Sequence, residues 1–316
     1  MNKVFVVGSL NIDQTIRAHS LPRPGETVHG SDATFRPGGK GGNQAVAAAR
    51  AGAEVHFTGA VGNDHHGKTI LDVLDGSGVR TAGLRVVEDS PTGTAVIAVD
   101  DAGNNQILVC PGANFRLTPN DVEAGLAELQ DGDVLVLQLE IPAPLVRHAA
   151  RLAKSRGALV LLNAAPAPRQ TDSLFENIDL LIVNEQEIMD LAATCGMPAT
   201  DYRDLVTALP AVLGPAILCT AGETGSFAVI RGGLVQVSAP TVVARDTTGA
   251  GDTYVGYLAA ALAAAPGDLL AAMELAAQAS ALTVQRPGAM ESIPWRAGIA
   301  SSSPSPSAQT LPAHQA

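Results

Sequence analysis

The chain has 316 residues, of which 46% are apolar, 16% charged and 3% aromatic, and 20 basic against 31 acidic side chains give a formal net charge of −11. This length can bury a large core without help from metals or disulfides. The acidic balance argues against a nucleic-acid partner, which needs clustered Lys and Arg. It leaves room for one small anion, which a few backbone N–H groups and cations can hold. Cys110, Cys195 and Cys219 are far apart and form no CxxC pair. They suggest neither a disulfide framework nor a structural zinc site, and they favour a reducing, cytoplasmic setting. The longest apolar runs, such as Tyr257–Ala265, fall well short of the roughly 20 residues that span a bilayer. The opening MNKVFVVGSLNID is too brief an apolar stretch for a signal peptide. No membrane partner is expected.

Short β-branched runs alternate with Ala-rich helical stretches. Val4–Val7 reads as a strand, Gly41–Ala51 as a helix, Val55–Thr58 as a strand and Lys68–Leu74 as a helix. Val134–Leu139, Ala158–Leu162, Leu180–Val183 and Ala216–Cys219 follow as strands, with a helix over Pro144–Arg156. Strands this apolar predict an α/β fold with a mostly parallel central sheet and helices on both faces. Ligands then bind beyond the carboxyl ends of the strands. Two segments break the alternation. Residues 14–36 are punctuated by Pro and Gly, and residues 92–111 read as a hairpin, Thr94–Val99 and Gln106–Cys110, around DDAGNN. They are expected to form a small β-sheet lid, the alternative being surface hairpins. A further hairpin is predicted from Phe227–Ile230 and Leu234–Val237, and a helix over Thr253–Ala265. Residues 1–299 make one α/β domain in this reading, and 300–316, rich in Ser and Pro, a disordered tail.

One motif invites a wrong conclusion. Gly62-Asn-Asp-His-His-Gly67-Lys68-Thr69 fits the phosphate-loop pattern between a strand and a helix. A loop that wraps phosphates closely has little room for Asp64, His65 and His66, and the strand Leu180–Val183 ends in Asn184-Glu185 rather than the expected Asp. A plain strand–turn–helix connection is the better reading.

The segment Asp246-Thr-Thr-Gly-Ala-Gly-Asp252 leads into a helix, so the small residues Gly249, Ala250 and Gly251 leave outward N–H groups at the positive end of its dipole. Asp252 is either a first-turn acid or cap, or a base that takes a proton from an alcohol as a phosphoryl group arrives. Gly38-Gly39-Lys40-Gly41-Gly42-Asn43-Gln44 opens a helix with glycines that allow close backbone approach to a ligand, beside Lys40 and Asn43. Asn11 and Asp13, two apart in extended chain, project to one side and suit sugar hydroxyls, or are ordinary turn residues. Asn184 and Glu187, three apart at a strand-to-helix junction, either support magnesium through water or cap the helix.

These motifs together resemble the ribokinase-like (PfkB) carbohydrate kinases. They are Gly8-Ser9-Leu10-Asn11-Ile12-Asp13, the glycine block through Gly52, the turn Val61–Gly67, Pro111-Gly112-Ala113-Asn114, Val183-Asn184-Glu185 and DTTGAGD, in family order across about residues 3–296. The resemblance implies ATP-dependent phosphorylation of D-ribose at its 5-hydroxyl, with Asp252 as base and Gly249, Ala250 and Gly251 as the anion hole. It places the sugar against Asn11, Asp13, Gly39, Lys40, Asn43 and Glu140, with Ala95 and Ile107 of the lid packed over it. It sets ATP along Asn184, Thr220, Ala221, Gly222, Glu223, Thr224, Gly225 and Gly251, with Glu187 and Asn184 near Mg2+. Asp246, Thr248, Thr283, Arg286, Gly288 and Ser292 correspond to a K+ site. The resemblance further implies a homodimer through the lid. One departure is Ala277-Gln278, where the family often has His or Asn near adenine. The competing readings are a related kinase acting on another sugar or a nucleoside, a phosphate-loop NTPase, and a non-catalytic sugar-binding protein.

Overall fold

The computed structural model describes residues 2–171, 173–198, 201–299 and 307–311. The first half of the chain runs β1 (Val4–Val7), β2 (Asn11–Ala18), β3 (Gly30–Gly38), α1 (Lys40–Arg50), β4 (Val55–Gly62), α2 (His65–Gly76) and β5 (Val79–Val87). It continues with β6 (Gly93–Val99), β7 (Asn105–Cys110), α3 (Pro119–Gly125), β8 (Val134–Leu137), α4 (Ala143–Ser155) and β9 (Leu159–Asn163). The second half holds β10 (Leu180–Asn184), α5 (Glu185–Thr194), α6 (Tyr202–Ala208), α7 (Pro210–Leu213) and β11 (Ala216–Thr220). Last come β12 (Ser226–Ile230), β13 (Gly233–Val237), α8 (Ala250–Ala264), α9 (Leu269–Thr283), α10 (Arg296–Ile299) and β14 (Ala308–Thr310).

The main sheet has the order β14-β13-β12-β11-β10-β9-β8-β1-β4-β5. Every pairing from β11 to β5 is parallel, and β12, β13 and β14 add antiparallel strands at one edge. Strand alternation divides the core between two faces. Val4, Val6, Val134 and Val136 pack with α1, α2, α8 and α9, whereas Phe5, Val7, Leu135 and Leu137 pack with α3, α4, α5 and α6. Both faces being covered explains why these strands are uniformly apolar. Strand order reverses at β1, which lies between β4 and β8. The crevice beyond its carboxyl end is where such sheets receive ligands.

The two irregular segments form a separate four-stranded sheet, β3-β2-β6-β7, parallel between β2 and β6 and antiparallel elsewhere. Its roots are pinned to the body. Thr92, ahead of β6, donates its backbone N–H and hydroxyl to the Asp64 carboxylate at 2.8 and 2.7 Å. The Asn114 side chain brackets Leu10 through both its backbone groups and donates to Asn11 Oδ1 at 2.9 Å. The outer strand β7 is exposed along its whole length.

One expectation changes and one holds. The tail was read as disordered, yet Ala308–Thr310 pairs antiparallel with β13 and covers the edge that β13 would otherwise present to solvent; residues 300–306 and 312–316 lie outside the described residues. The phosphate-loop look-alike is a capped helix start: Asp64 accepts the Gly67 N–H at 2.8 Å, and Lys68 pairs with Asp72 one turn on, exposed to solvent. Among the described residues no helix is long and apolar enough to cross a membrane.

Candidate active site

Asp252 sits in the first turn of α8 and does not cap it. The cap position is Gly249, whose φ of +74° is left-handed and strained for other residues, and no side chain caps this end. Instead the Asp252 carboxylate is gripped from α1, where Asn43 Nδ2 donates to Oδ2 at 2.8 Å and Gln44 Nε2 donates to Oδ1 at 2.9 Å. The two helices can come this close because α8 carries Gly256 one turn later. A Cβ there would overlap Ala47 Cβ and the Gln44 carbonyl. Among the described residues the N–H groups of Gly251 and Asp252 have no backbone partner. A Cβ on Gly251 would meet nothing within 4 Å. The helix start therefore offers free donors and open space together, the requirements of an anion site.

The residues expected to face the sugar come from three places beyond β1. Asn11 and Asp13 project from β2, Lys40 opens α1, and Glu140 follows β8. Glu140 Oε2 accepts from Ser9 Oγ at 2.6 Å and from the Lys40 backbone N–H at 3.1 Å, which ties the β1 exit to the glycine block. Asp13 lies against the β3 backbone, where a Cβ on Gly38 would come within 2.6 Å of its Cγ. Burial, then the nearby Glu140, Asp252 and Glu291 charges, raise the Asp13 carboxyl to about 7. Burial works against the Lys40 ammonium, but the field of Asp252, Glu140, Glu187 and Asp13 outweighs it and holds the Lys40 pKa above its ordinary value. This cation thus sits among four carboxylates. Asn43 is buried inside α1, so it is no cap, and its Oδ1 has no hydrogen-bond partner among the described residues. Ala95 lies beside Asp13 in the β2–β6 register and is buried. Ile107, expected over the sugar, is 58% exposed on the outer strand, because β7 pairs with β6 on one side and among the described residues no strand covers its other edge.

On the far side, Asn184 and Thr220 are register partners at the carboxyl ends of β10 and β11. The turn Gly222–Thr224 follows, closed by Ala221 N–H to Gly225 O at 2.7 Å. Asn184 and Glu187 form a reciprocal capping box on α5, with both bonds at 2.8 Å. The capping alternative is therefore realised. Glu187 Oε2 serves the cap, and burial first of all raises its carboxyl above the ordinary range. In the 246–292 region, Asp246 accepts from Thr248 N–H at 3.0 Å and Gly288 N–H at 2.8 Å. Ser292 and Thr283 are buried, and Arg286 N–H bonds the Thr283 carbonyl at 3.1 Å. Among the described residues no group of three His, Cys, Asp or Glu could hold a metal ion.

Sequence reasoning left several residues without a role. Gln44 contacts Asp252, Ser9 orients Glu140, and Asn114 orients Asn11. Gln44 and Asn114 lie inside motifs quoted for other members, but their partners are distant in sequence.

A mostly parallel sheet whose crevice sets an acidic cluster against a donor-rich helix start is the setting of a small-molecule phosphotransferase. The chain belongs to the pfkB family of carbohydrate kinases, whose family model matches residues 1–296. It is 34% identical over 294 residues to the ribokinase of Staphylococcus aureus, covering 93% of this chain and 97% of that protein. It is also 34% identical over 295 residues to the deoxyribokinase of Salmonella typhi, covering 92% and 95%. The Arabidopsis thaliana ribokinase, solved in complex with ribose and ATP, superposes with a TM-score of 0.83 at 32% identity, covering 95% of this chain and 98% of that one.

Proposed function

We propose that the site transfers the γ-phosphoryl group of ATP to the 5-hydroxyl of D-ribose. The activity is that of the curated ribokinases, which the chain matches over more than nine-tenths of its length. The observation that carries the mechanism is the Asp252 carboxylate, held by two amide donors beside the unpaired N–H groups of the α8 start. Asp252 accepts the hydroxyl proton while the new P–O bond forms and the bond to the ADP oxygen breaks. Gly249, Ala250 and Gly251 present N–H groups to the transferring oxygens, the Ala250 N–H being shared with the Thr247 carbonyl at 3.2 Å, and fixed donors there stabilise developing charge. Asn11, Asp13, Gly39, Lys40, Asn43 and Glu140 hold the sugar, and the unpaired Asn43 Oδ1 is an acceptor for one of its hydroxyls. Asn184, Thr220, Ala221, Gly222, Glu223, Thr224 and Gly225 line the nucleotide path. The small sheet acts as a lid that excludes water.

Glu187 uses one oxygen for the helix cap and keeps the other for a hard cation, directly or through water, which suits Mg2+. When bound, Mg2+ neutralises phosphate charge. Each Asp246 oxygen accepts one backbone N–H and retains a lone pair, so with Thr248, Thr283, Arg286, Gly288 and Ser292 it offers an all-oxygen setting that fits K+. All three cysteines are free, in keeping with a cytoplasmic location.

ATP consumption measured across pentoses, 2-deoxyribose, hexoses and nucleosides should be greatest with D-ribose and greater in K+ than in Na+. Preference for 2-deoxyribose or a nucleoside would replace the ribose assignment, and equal rates in both ions would remove the K+ site. The exposed apolar strand β7, with Ile107, Leu108 and Val109 at 58%, 67% and 49% exposure, supports a homodimer through the lid. Light scattering at micromolar concentration should give twice the chain mass; the mass of a single chain would exclude the dimer.

A further inference from the structure

We propose that Gln44 is the positioning residue for the Asp252 carboxylate and that Gln138 braces it by holding its amide oxygen. The inference rests on Asp252 being the base. Gln44 is fully buried. Its Nε2 donates to Asp252 Oδ1 at 2.9 Å and to Asn163 Oδ1 at 3.1 Å, while its Oε1 accepts from Gln138 Nε2 at 2.7 Å. Reversing the Gln44 amide would set its oxygen against both acceptors and its NH2 against the Gln138 donor. Asn163 cannot relieve that conflict by turning, because its own Nδ2 donates to the Ile182 carbonyl at 3.2 Å. The Asp252 and Asn163 oxygens therefore fix the direction of the Gln44 amide, and the Gln138 Nε2 turns to its oxygen, so the donors run toward the carboxylate.

The far end of the chain shows that packing alone does not account for it. Gln138 is fully buried, and among the described residues its Oε1 has no hydrogen-bond partner. It lies where a Cβ on Gly8 would overlap it. A buried amide left half-satisfied is worse for stability than an apolar side chain of similar shape. Its one bond holds Gln44. With Asn43 on Oδ2 and Gln44 on Oδ1, rotation of the carboxylate plane breaks one donor bond, so the outward lone pairs stay aimed at the crevice. Losing the Gln44 donor both frees that rotation and removes a hydrogen bond that favours the ionised form.

The test compares Gln44→Met, Gln138→Met, Asp252→Asn and the double variant Asp252→Asn/Gln44→Met. The readouts are kcat, KM for ribose, the pH profile of kcat and thermal unfolding. Gln44→Met should lower kcat roughly 10- to 100-fold, the scale of a misplaced reacting group. KM should stay within about threefold, and the acid limb of the profile should move to higher pH. Gln138→Met should shift the same quantities the same way by less, and Gln44→Met should add nothing to Asp252→Asn. Wild-type kcat and an unmoved acid limb in Gln44→Met would overturn the proposal, as would an undiminished loss in the double variant. If Gln44→Met does not fold, Gln138→Met decides by the same readouts. Normal turnover of Asp252→Asn would instead remove the base, a separate and distinguishable failure.

Discussion

Asp252→Asn is expected to lower kcat by at least about 10²-fold, the scale of a lost general base, while ATP binding stays within a few-fold. The substitution preserves shape, and α8 does not use the Asp252 side chain as its cap, so the helix start and its free N–H groups should survive. What changes is chemical. An amide cannot take the hydroxyl proton, and its NH2 would face either Asn43 Nδ2 or Gln44 Nε2, both of which are donors. The base is lost, and the Asn43 contact survives only if its amide turns the unpaired Oδ1 toward the new NH2 and away from the crevice. A carboxylate is a weak base toward an alcohol, but it suffices when the proton leaves late, as the P–O bond forms. Steady-state kinetics with calorimetric ADP binding separates the two effects. Turnover within a few-fold of wild type would mean that Asp252 only braces α8 against α1.

Local chemistry was readable where one short segment carries it. The run Asp246–Asp252 places an acid in the first turn of a helix, and the apolar runs Val4–Val7 and Val134–Leu139 announce a sheet covered on both faces. The choice between cap and base at Asp252 was not readable, because it depends on Asn43 and Gln44 arriving from another helix. Likewise Gln138 reaches Gln44 only through the β1–β8 pairing, which no local pattern encodes. Helix α9 was passed over because LLAAMELAAQASALT is apolar nearly all round and has no polar face to mark its period. Strand β5 was missed because its polar, partly exposed pattern lies at the sheet edge. The tail misled by composition: Ser and Pro signalled disorder, whereas Ala308–Thr310 only needed a neighbouring edge to pair with. The Val61–Gly67 turn shows the opposite error avoided, since residue types that fit a phosphate loop instead cap α2 and anchor the lid root through Asp64.

Asp13 should make the ligand-free protein less stable as pH rises through neutrality. Its native carboxyl titrates at about 7, whereas an unfolded Asp titrates near 3.9. Between those values the native state binds the extra proton, so stability falls as pH increases. The penalty is absent below about pH 4, grows through the interval and is complete above about pH 7. Three pH units correspond to about 4 kcal/mol as an upper bound, and partial solvent access reduces this to the order of 1–3 kcal/mol. Asp13→Asn removes the penalty. The variant should therefore melt several degrees above wild type at pH 8.5, with the gap narrowing steadily toward pH 5. The same change should weaken ribose binding by at least about tenfold, because hydrogen bonds to a charged acceptor are the stronger kind. In the wild type, KM for ribose should fall between pH 6 and 8 as the carboxylate ionises. Scanning calorimetry of both proteins across that range, with ribose titrations, measures each part. A melting gap that does not change with pH would show that Asp13 shares its ordinary titration with the unfolded chain. A gap that opens as predicted, alongside lost sugar binding, would mean that Asp13 is kept for the ligand at the expense of the empty fold.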